Sequence, residues 1–161
     1  MRTVISAPPA IDVSAVAGRI ARGAAVIADP SRAMCERHGY QTLYEIPVPL
    51  QKRVRRELIA AHAERLGEAN VVCDHSVFAW LADWMRWLWS FTPSEEWEDV
   101  LRMAQPAVDR SEAIVHVVSG PAAPYDGYRW RDARNGVQAE RLMRQLYRDF
   151  GVESRVREDH G

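Results

Sequence analysis

Four short apolar runs, separated by stretches of helical periodicity, constrain this chain more than any other feature of its sequence. Arg2-Thr-Val-Ile-Ser6, Ala24-Ala-Val-Ile-Ala28, Ala69-Asn-Val-Val-Cys73 and Ala113-Ile-Val-His-Val-Val118 are too short for helices and lack the polar alternation of a strand with one wet face. Runs of this kind suit strands buried on both faces, as in a parallel sheet covered by helices. Pro8-Pro9 follows the first run and Asp29-Pro30 closes the second, so neither continues as strand or helix. A last short strand is predicted around Val152 to Val156, and the Arg-Glu-Asp-His-Gly tail after it is expected to fray.

Between the strands the period changes. Val13, Val16, Ala17, Ile20 and Ala21 recur at spacings of three and four, with Asp12 as N-cap and Gly23 as stop. A short helix is predicted from Ser31 to His38, then a loop through Pro47 and Pro49, then a long helix from Leu50 to Leu66 that Gly67 ends. Asp74-His75-Ser76 opens a helix rich in tryptophan, Ser94 to Arg110 predicts a helix or pair of helices interrupted at Pro106, and a final helix runs near Val137 to Phe150. The expectation is a single domain over residues 1–161, three-layer α/β, with a parallel sheet of about five strands. Ligands of such domains bind beyond the carboxyl ends of the strands. That directs attention to the loops Ala7 to Asp12, Asp74 to Ser76 and Ser119 to Arg134.

Composition excludes several classes of function. A length of 161 residues fits one domain, and Lys+Arg 21 against Asp+Glu 22 leaves a formal charge of −1, too little to draw the chain onto nucleic acid or an anionic membrane. The longest apolar-rich stretch, Ser76 to Phe91, is broken by Asp83 and Arg86 and falls short of the ~20 residues a membrane span needs. Two cysteines, Cys35 and Cys73, are too few for a disulfide scaffold, and the N-terminus lacks the long apolar core of a secretory signal. A reducing, cytoplasmic compartment is expected. Lys52 is the single lysine, so any chemistry that depends on a lysine has one candidate, and its setting in Gln51-Lys-Arg-Val-Arg-Arg56 predicts a solvated helix face.

The loop after the first strand sits where an α/β nucleotide-binding protein carries its phosphate loop, G-x-x-x-x-G-K-[ST]. In that loop glycines turn backbone N–H groups toward the phosphates, lysine reaches the β and γ phosphates and the hydroxyl binds magnesium. Here the frame is Ala7, four residues, Asp12, Val13 and Ser14. Through Ile5-Ser6, Pro8-Pro9, Ser14 and the apolar spacing after it, the chain resembles the small P-loop NTPases of the nucleoside and nucleotide kinase type, including the AAA-domain ATPase/kinase-like proteins. Val71-Val-Cys-Asp74-His75-Ser76 is similar to the strand ending in D-R-S beside the acceptor substrate of these kinases. Ile114-Val-His-Val-Val118 followed by Pro121, Asp126-Gly-Tyr128-Arg129 and Asp132 is similar to their strand and lid loop, here near 120–134. The departures fall on the groups that hold phosphate. Pro8 and Pro9 remove two N–H donors, Val13 stands in place of the cation, and Asp12 sets a negative charge where a triphosphate would lie. This is a degenerate phosphate loop.

The resemblance implies that Asp74 accepts a hydroxyl proton from an acceptor; from the residues alone it is a general base, a hydroxyl anchor or a plain N-cap. His75 stands where the family pattern has arginine and could pair with Asp74. Arg129, Arg131 and Arg134, with Tyr128, are the expected contacts for an anionic group or, alternatively, solvated residues at a helix start. His116, inside an apolar strand, reads as a core histidine. Cys35, His38, Cys73 and His75 lack the spacing of a zinc site, and no metal or cofactor is expected. Trp80, Trp84 and Trp87 fall on one face of a helix that is apolar almost all round. That helix suits core packing, a homodimer interface or an aromatic pocket, and Trp80 and Trp84 are the candidate substrate contacts. The expected function is small-molecule binding, of an anionic or aromatic ligand, in a former acceptor pocket without ATP chemistry, with acid/base catalysis at Asp74 or His75. The alternatives are an inactive interaction protein that dimerises through the Trp-rich helix and an atypical kinase.

Overall fold

The computed structural model describes residues 1–9, 11–122 and 133–160. Five parallel strands, β1 (Arg2–Ser6), β2 (Ala25–Ile27), β3 (Val71–Cys73), β4 (Ala113–Val117) and β5 (Val156–Asp159), lie in the order β2-β3-β1-β4-β5. The connecting helices are α1 (Ser14–Ala21), α2 (Ser31–Arg37), α3 (Val48–Arg65), α4 (Val77–Trp87), α5 (Ser94–Arg110) and α6 (Ala133–Asp149), with 3-10 turns at Leu43–Glu45, Trp89–Phe91 and Glu153–Arg155. In register, Val4 lies beside Cys73 on one side and Ile114 on the other.

The strand period of two divides the core between the faces of the sheet. Val4, Val71, Cys73 and Ile114 point into a large cluster with the apolar faces of α2 to α6, while Ile5, Val72, Val115 and Val117 point the other way onto Val16 and Ala17 of α1. The strands in the middle are therefore buried on both faces, as their composition predicts. On the larger face α3 packs on α5 and α4 on α6.

Several local expectations are corrected. β2 is not buried on both faces: it is an edge strand of three residues, and Val26 is 50% exposed. The residue that precedes α1 is Val13, and Asp12, one place earlier, reaches the helix through the Ser14 N–H. α3 starts at Val48 and includes Pro49, because the N–H groups of a first turn have no partner within the helix and proline gives up nothing there. α5 runs unbroken through Pro106. Pro106 and Arg102 are exposed, so the carbonyl that proline leaves without a partner faces water. The tail does not fray: residues 156–159 form β5, where Asp159 pairs with Arg19 at 2.5 Å and Glu158 with Arg144 at 2.8 Å. The predicted lid falls largely on residues 123–132, outside the described residues.

Candidate functional site

A cavity of about 110 Å³ opens beyond the carboxyl ends of β1, β2 and β3, where ligands of parallel α/β sheets bind. Each strand delivers the residues that follow it: Ala7 to Pro9 after β1, Asp29 after β2, Asp74 and His75 after β3. The side wall is one face of α4, with Ala79, Asp83 and Arg86 at spacings of four and three. Tyr44, from the turn before α3, and Ala139 and Met143 of α6 complete it. At 10–15 Å³ for each water-sized position, the space holds roughly seven to eleven of them, enough for a small ligand.

At the sheet edge the polar groups are fixed from below. The Asp74 N–H donates to the Ile27 carbonyl at 3.0 Å and extends the ladder between β2 and β3 by one residue. Asp74 does not cap α4. Ser76 does, its hydroxyl accepting from the Ala79 N–H at 3.2 Å, which leaves the Asp74 carboxylate on the cavity wall. The expected pairing of His75 with Asp74 is also replaced, for His75 Nδ1 lies 3.5 Å from Asp29 Oδ2. A carboxylate at Nδ1 favours the proton on that nitrogen and leaves the lone pair on Nε2, which is buried and has no hydrogen-bond partner among the described residues. The His75 ring lies against Trp80, centroids 4.7 Å apart, and Trp80 is in turn met edge-on by His62. Burial pushes His62 down to about 3, so it is neutral at physiological pH. Cys73, just below, is pushed up to about 11 by burial and the Asp74 charge, and is no nucleophile.

The opposite end of the cavity is a cluster of charges on α4 and α3. Asp83 accepts from Arg55 Nη2 at 2.9 Å, from the Trp87 indole at 3.1 Å and from Arg86 Nη1 at 3.4 Å. Burial and the Asp83 charge push the Tyr44 phenol well above its usual range, so it stays protonated. Arg86 stacks over Trp87 at 5.2 Å, and its side chain is 2% exposed.

The loop after β1 forms a wall of the cavity with apolar side chains, Pro8, Ile11 and Val13. Asp12 turns back to accept the Ser14 N–H at 2.9 Å, so a carboxylate of the chain itself occupies a donor at the N-terminus of α1. Beyond it the Asp12 N–H donates to the Pro121 carbonyl at 2.9 Å and Ile11 bridges to Ala122, which ties this loop to the one after β4. Lys52 is not on a solvated face: it pairs with Glu96 at 2.5 Å and bonds the Phe91 carbonyl, joining α3 to α5 away from the cavity walls.

Of the sequence-predicted site residues, Ala7, Val13, Asp74, His75 and Trp80 line the cavity. Ser14 is exposed at the start of α1, and Asp12 lies on the loop without lining the space. Trp84 is buried in the core, its indole N–H donating to Thr92 Oγ1 at 3.0 Å, and touches no part of the cavity. Arg134 is exposed on the first turn of α6, and Tyr128, Arg129 and Arg131 lie outside the described residues. His116 is a core histidine bonded through Nδ1 to the Tyr147 hydroxyl at 2.9 Å, and burial lowers its pKa. Among the described residues no three His, Cys, Asp or Glu side chains are placed to hold a metal, and no helix is long and apolar enough to cross a membrane. Sequence reasoning missed Asp29, Tyr44, Asp83 and Arg86. The signal for the last two was present: they are the only charges on an otherwise apolar helix.

No protein-family model and no curated protein matches the chain. Solved structures do. The chain is similar to the NadR protein in complex with NAD and AMP-PNP, with 12% identity, a TM-score of 0.71, and coverage of 99% of this chain and 44% of that one. It is similar also to the NadR protein in complex with NR, with 12% identity, a TM-score of 0.69, and coverage of 98% and 42%. The chain thus spans less than half the length of these relatives in shape. At this identity the likeness carries the fold, a P-loop kinase-like α/β domain, and nothing of the ligands.

Proposed function

We propose that this domain binds a small metabolite in the cavity at the sheet edge and does so without the triphosphate chemistry of P-loop kinases, with Asp74 and His75 as its proton-transfer groups. The observation that carries the reading is the contrast between two loops. The loop after β3 places in the cavity lining a carboxylate and a histidine whose buried Nε2 has no hydrogen-bond partner among the described residues. The loop after β1 offers proline and valine, and gives a helix N-terminal donor to Asp12. A triphosphate there would meet a fixed negative charge, no lysine and two fewer N–H donors, and each change raises the energy of the bound nucleotide.

The chemistry this arrangement supports is proton transfer. His75 Nε2, oriented through Nδ1 by Asp29, accepts a proton from a ligand hydroxyl or activated carbon and gives it back to the product or to water, while Asp74 accepts a hydrogen bond from the ligand and shares its proton at the reacting end. Isothermal titration of the full chain tests the nucleotide half of the reading: ATP with magnesium should give no heat at micromolar concentrations, as should AMP, thymidine and pyrophosphate. Micromolar, magnesium-dependent ATP binding would restore an atypical kinase and sink the proposal. For the enzyme half, Asp74→Asn should abolish turnover of a metabolite substrate by at least a hundredfold while leaving the melting temperature within a degree or two. Unchanged turnover removes Asp74 from the mechanism.

A second reading, a partner protein that dimerises at the aromatic helix, is favoured by one observation: Trp89 and Phe91, just past α4, are 51% and 57% exposed. The tryptophans of α4 proper are mostly turned inward. Sedimentation of the wild type and of Trp89→Ser decides this reading, since a dimer through this pair is lost in the variant.

A further inference from the structure

The polar groups of the cavity are not all accounted for by each other. Arg86 uses Nη1 on Asp83, yet Nε and Nη2 are buried and have no hydrogen-bond partner among the described residues. Those two atoms are the side-on edge of the guanidinium, whose parallel N–H bonds match the two oxygens of one oxyanion. The guanidinium is held by the stack on Trp87 and the contact to Asp83, and Arg86 belongs to the lining of a cavity that a ligand can enter. A buried cation with two donors left open costs free energy that packing alone does not recover. Such a cost is expected where a ligand completes the set.

The local charge says which ligand. Arg55 and Arg86 flank Asp83, and Tyr44 is neutral, so the cluster carries a net +1. One negative charge balances it. A phosphate monoester brings nearly two, more than the cluster balances. At the other end of the cavity Asp29, Asp74 and His75 suit a hydroxyl or an amino group instead.

We propose that the Nε–Nη2 edge of Arg86 binds the carboxylate of a small hydroxy or amino acid, whose hydroxyl or amino group lies toward Asp74, Asp29 and His75. The inference rests on the reading of this cavity as a metabolite site and adds the class of metabolite. It makes Arg86 a binding residue and leaves the proton transfers with Asp74 and His75.

Thermal unfolding and Trp fluorescence of the full chain, in chloride-free buffer, test it with glycerate and 3-hydroxybenzoate as carboxylates of fitting size. Glycerol and phenol serve as their counterparts without the carboxylate, and inorganic phosphate as the other oxyanion. The carboxylates should raise the melting temperature by several degrees at tens of millimolar, and more than phosphate does, because a ligand that binds only the folded state stabilises it. Arg86→Gln should weaken carboxylate binding at least tenfold and leave the ligand-free melting temperature unchanged or higher; Arg86→Lys, with the charge but not the fork, should fall between. The proposal is overturned if carboxylates and neutral analogues act alike, if phosphate outdoes both, or if Arg86→Gln melts several degrees lower and still responds to carboxylate. Neutral analogues that perturb Trp fluorescence in the wild type but not in Trp80→Phe would keep the metabolite site while removing the Arg86 anchor. No response to any probe removes both.

Discussion

His62 has no part in the proton transfers proposed for the cavity, yet it ties their neighbourhood to stability. Burial behind Trp80 holds its folded pKa near 3, against an ordinary value of 6.5. A histidine depressed in this way binds its proton in the unfolded chain first. Its neutral form therefore favours folding fully above pH 6.5, and that contribution is lost progressively as pH falls toward 3. His116, also pushed down by burial, acts in the same direction. Between pH 6.5 and 5 few carboxylates titrate, so the fall in stability there belongs to histidines and reaches at most about 1.4 kcal/mol per pH unit for each one. Urea denaturation across this window should show His62→Asn with a shallower pH dependence than the wild type. Equal slopes would mean that His62 is protonated in the folded protein.

At the scale of elements, the junction between β3 and α4 holds the site together, and Ser76 is its smallest part. Its hydroxyl caps α4 through the Ala79 N–H and bonds the Ser6 hydroxyl at the end of β1, so one side chain fixes the helix start to two strands. Ser76→Ala should cost about 1–2 kcal/mol, a lost cap plus a buried hydroxyl left short of a partner, and lower the melting temperature by a few degrees. A change below about 0.3 kcal/mol would show that the strands alone fix the junction. This junction was legible in the sequence, because a strand run, a polar triplet and an apolar helical period follow one another within a few residues. The far end of the same helix was not. Asp83 and Arg86 read as interruptions of an apolar stretch, and only α3, bringing Arg55 from 28 residues away, turns them into a cluster facing a cavity. The prolines misled for a related reason: Pro49 and Pro106 break helices only where a backbone N–H has work to do or a carbonyl is shut away from water. The tail reads as frayed in the sequence because nothing local to Arg157, Glu158 and Asp159 reveals that Arg19 and Arg144 wait for them.

In the whole molecule, stability is unevenly distributed around the cavity. β1, β3 and β4 are buried between helices on both faces, and each pairs with neighbours on both sides. β2 pairs only with β3, over three residues, with Ala25 and Val26 exposed. Local opening draws on the segments with the fewest buried contacts, so β2 should open at a free energy well below that of global unfolding. Native-state hydrogen exchange should find the amides of Ala25 to Ile27 exchanging at least a hundredfold faster than those of Val4 and Val115. That difference matters to the site because β2 delivers Asp29, the partner of His75. Opening β2 releases the carboxylate that orients the histidine, while Arg86 and Asp83, anchored on α4 against α3, stay in place. A ligand that engages both ends should therefore slow exchange in β2 by the factor 1 + [L]/Kd, and slow the central strands, which exchange through global unfolding, by the same factor. Equal protection of β2 and β1 without ligand would mean that the sheet opens as one unit, and that the acidic end of the cavity is as rigid as the basic one.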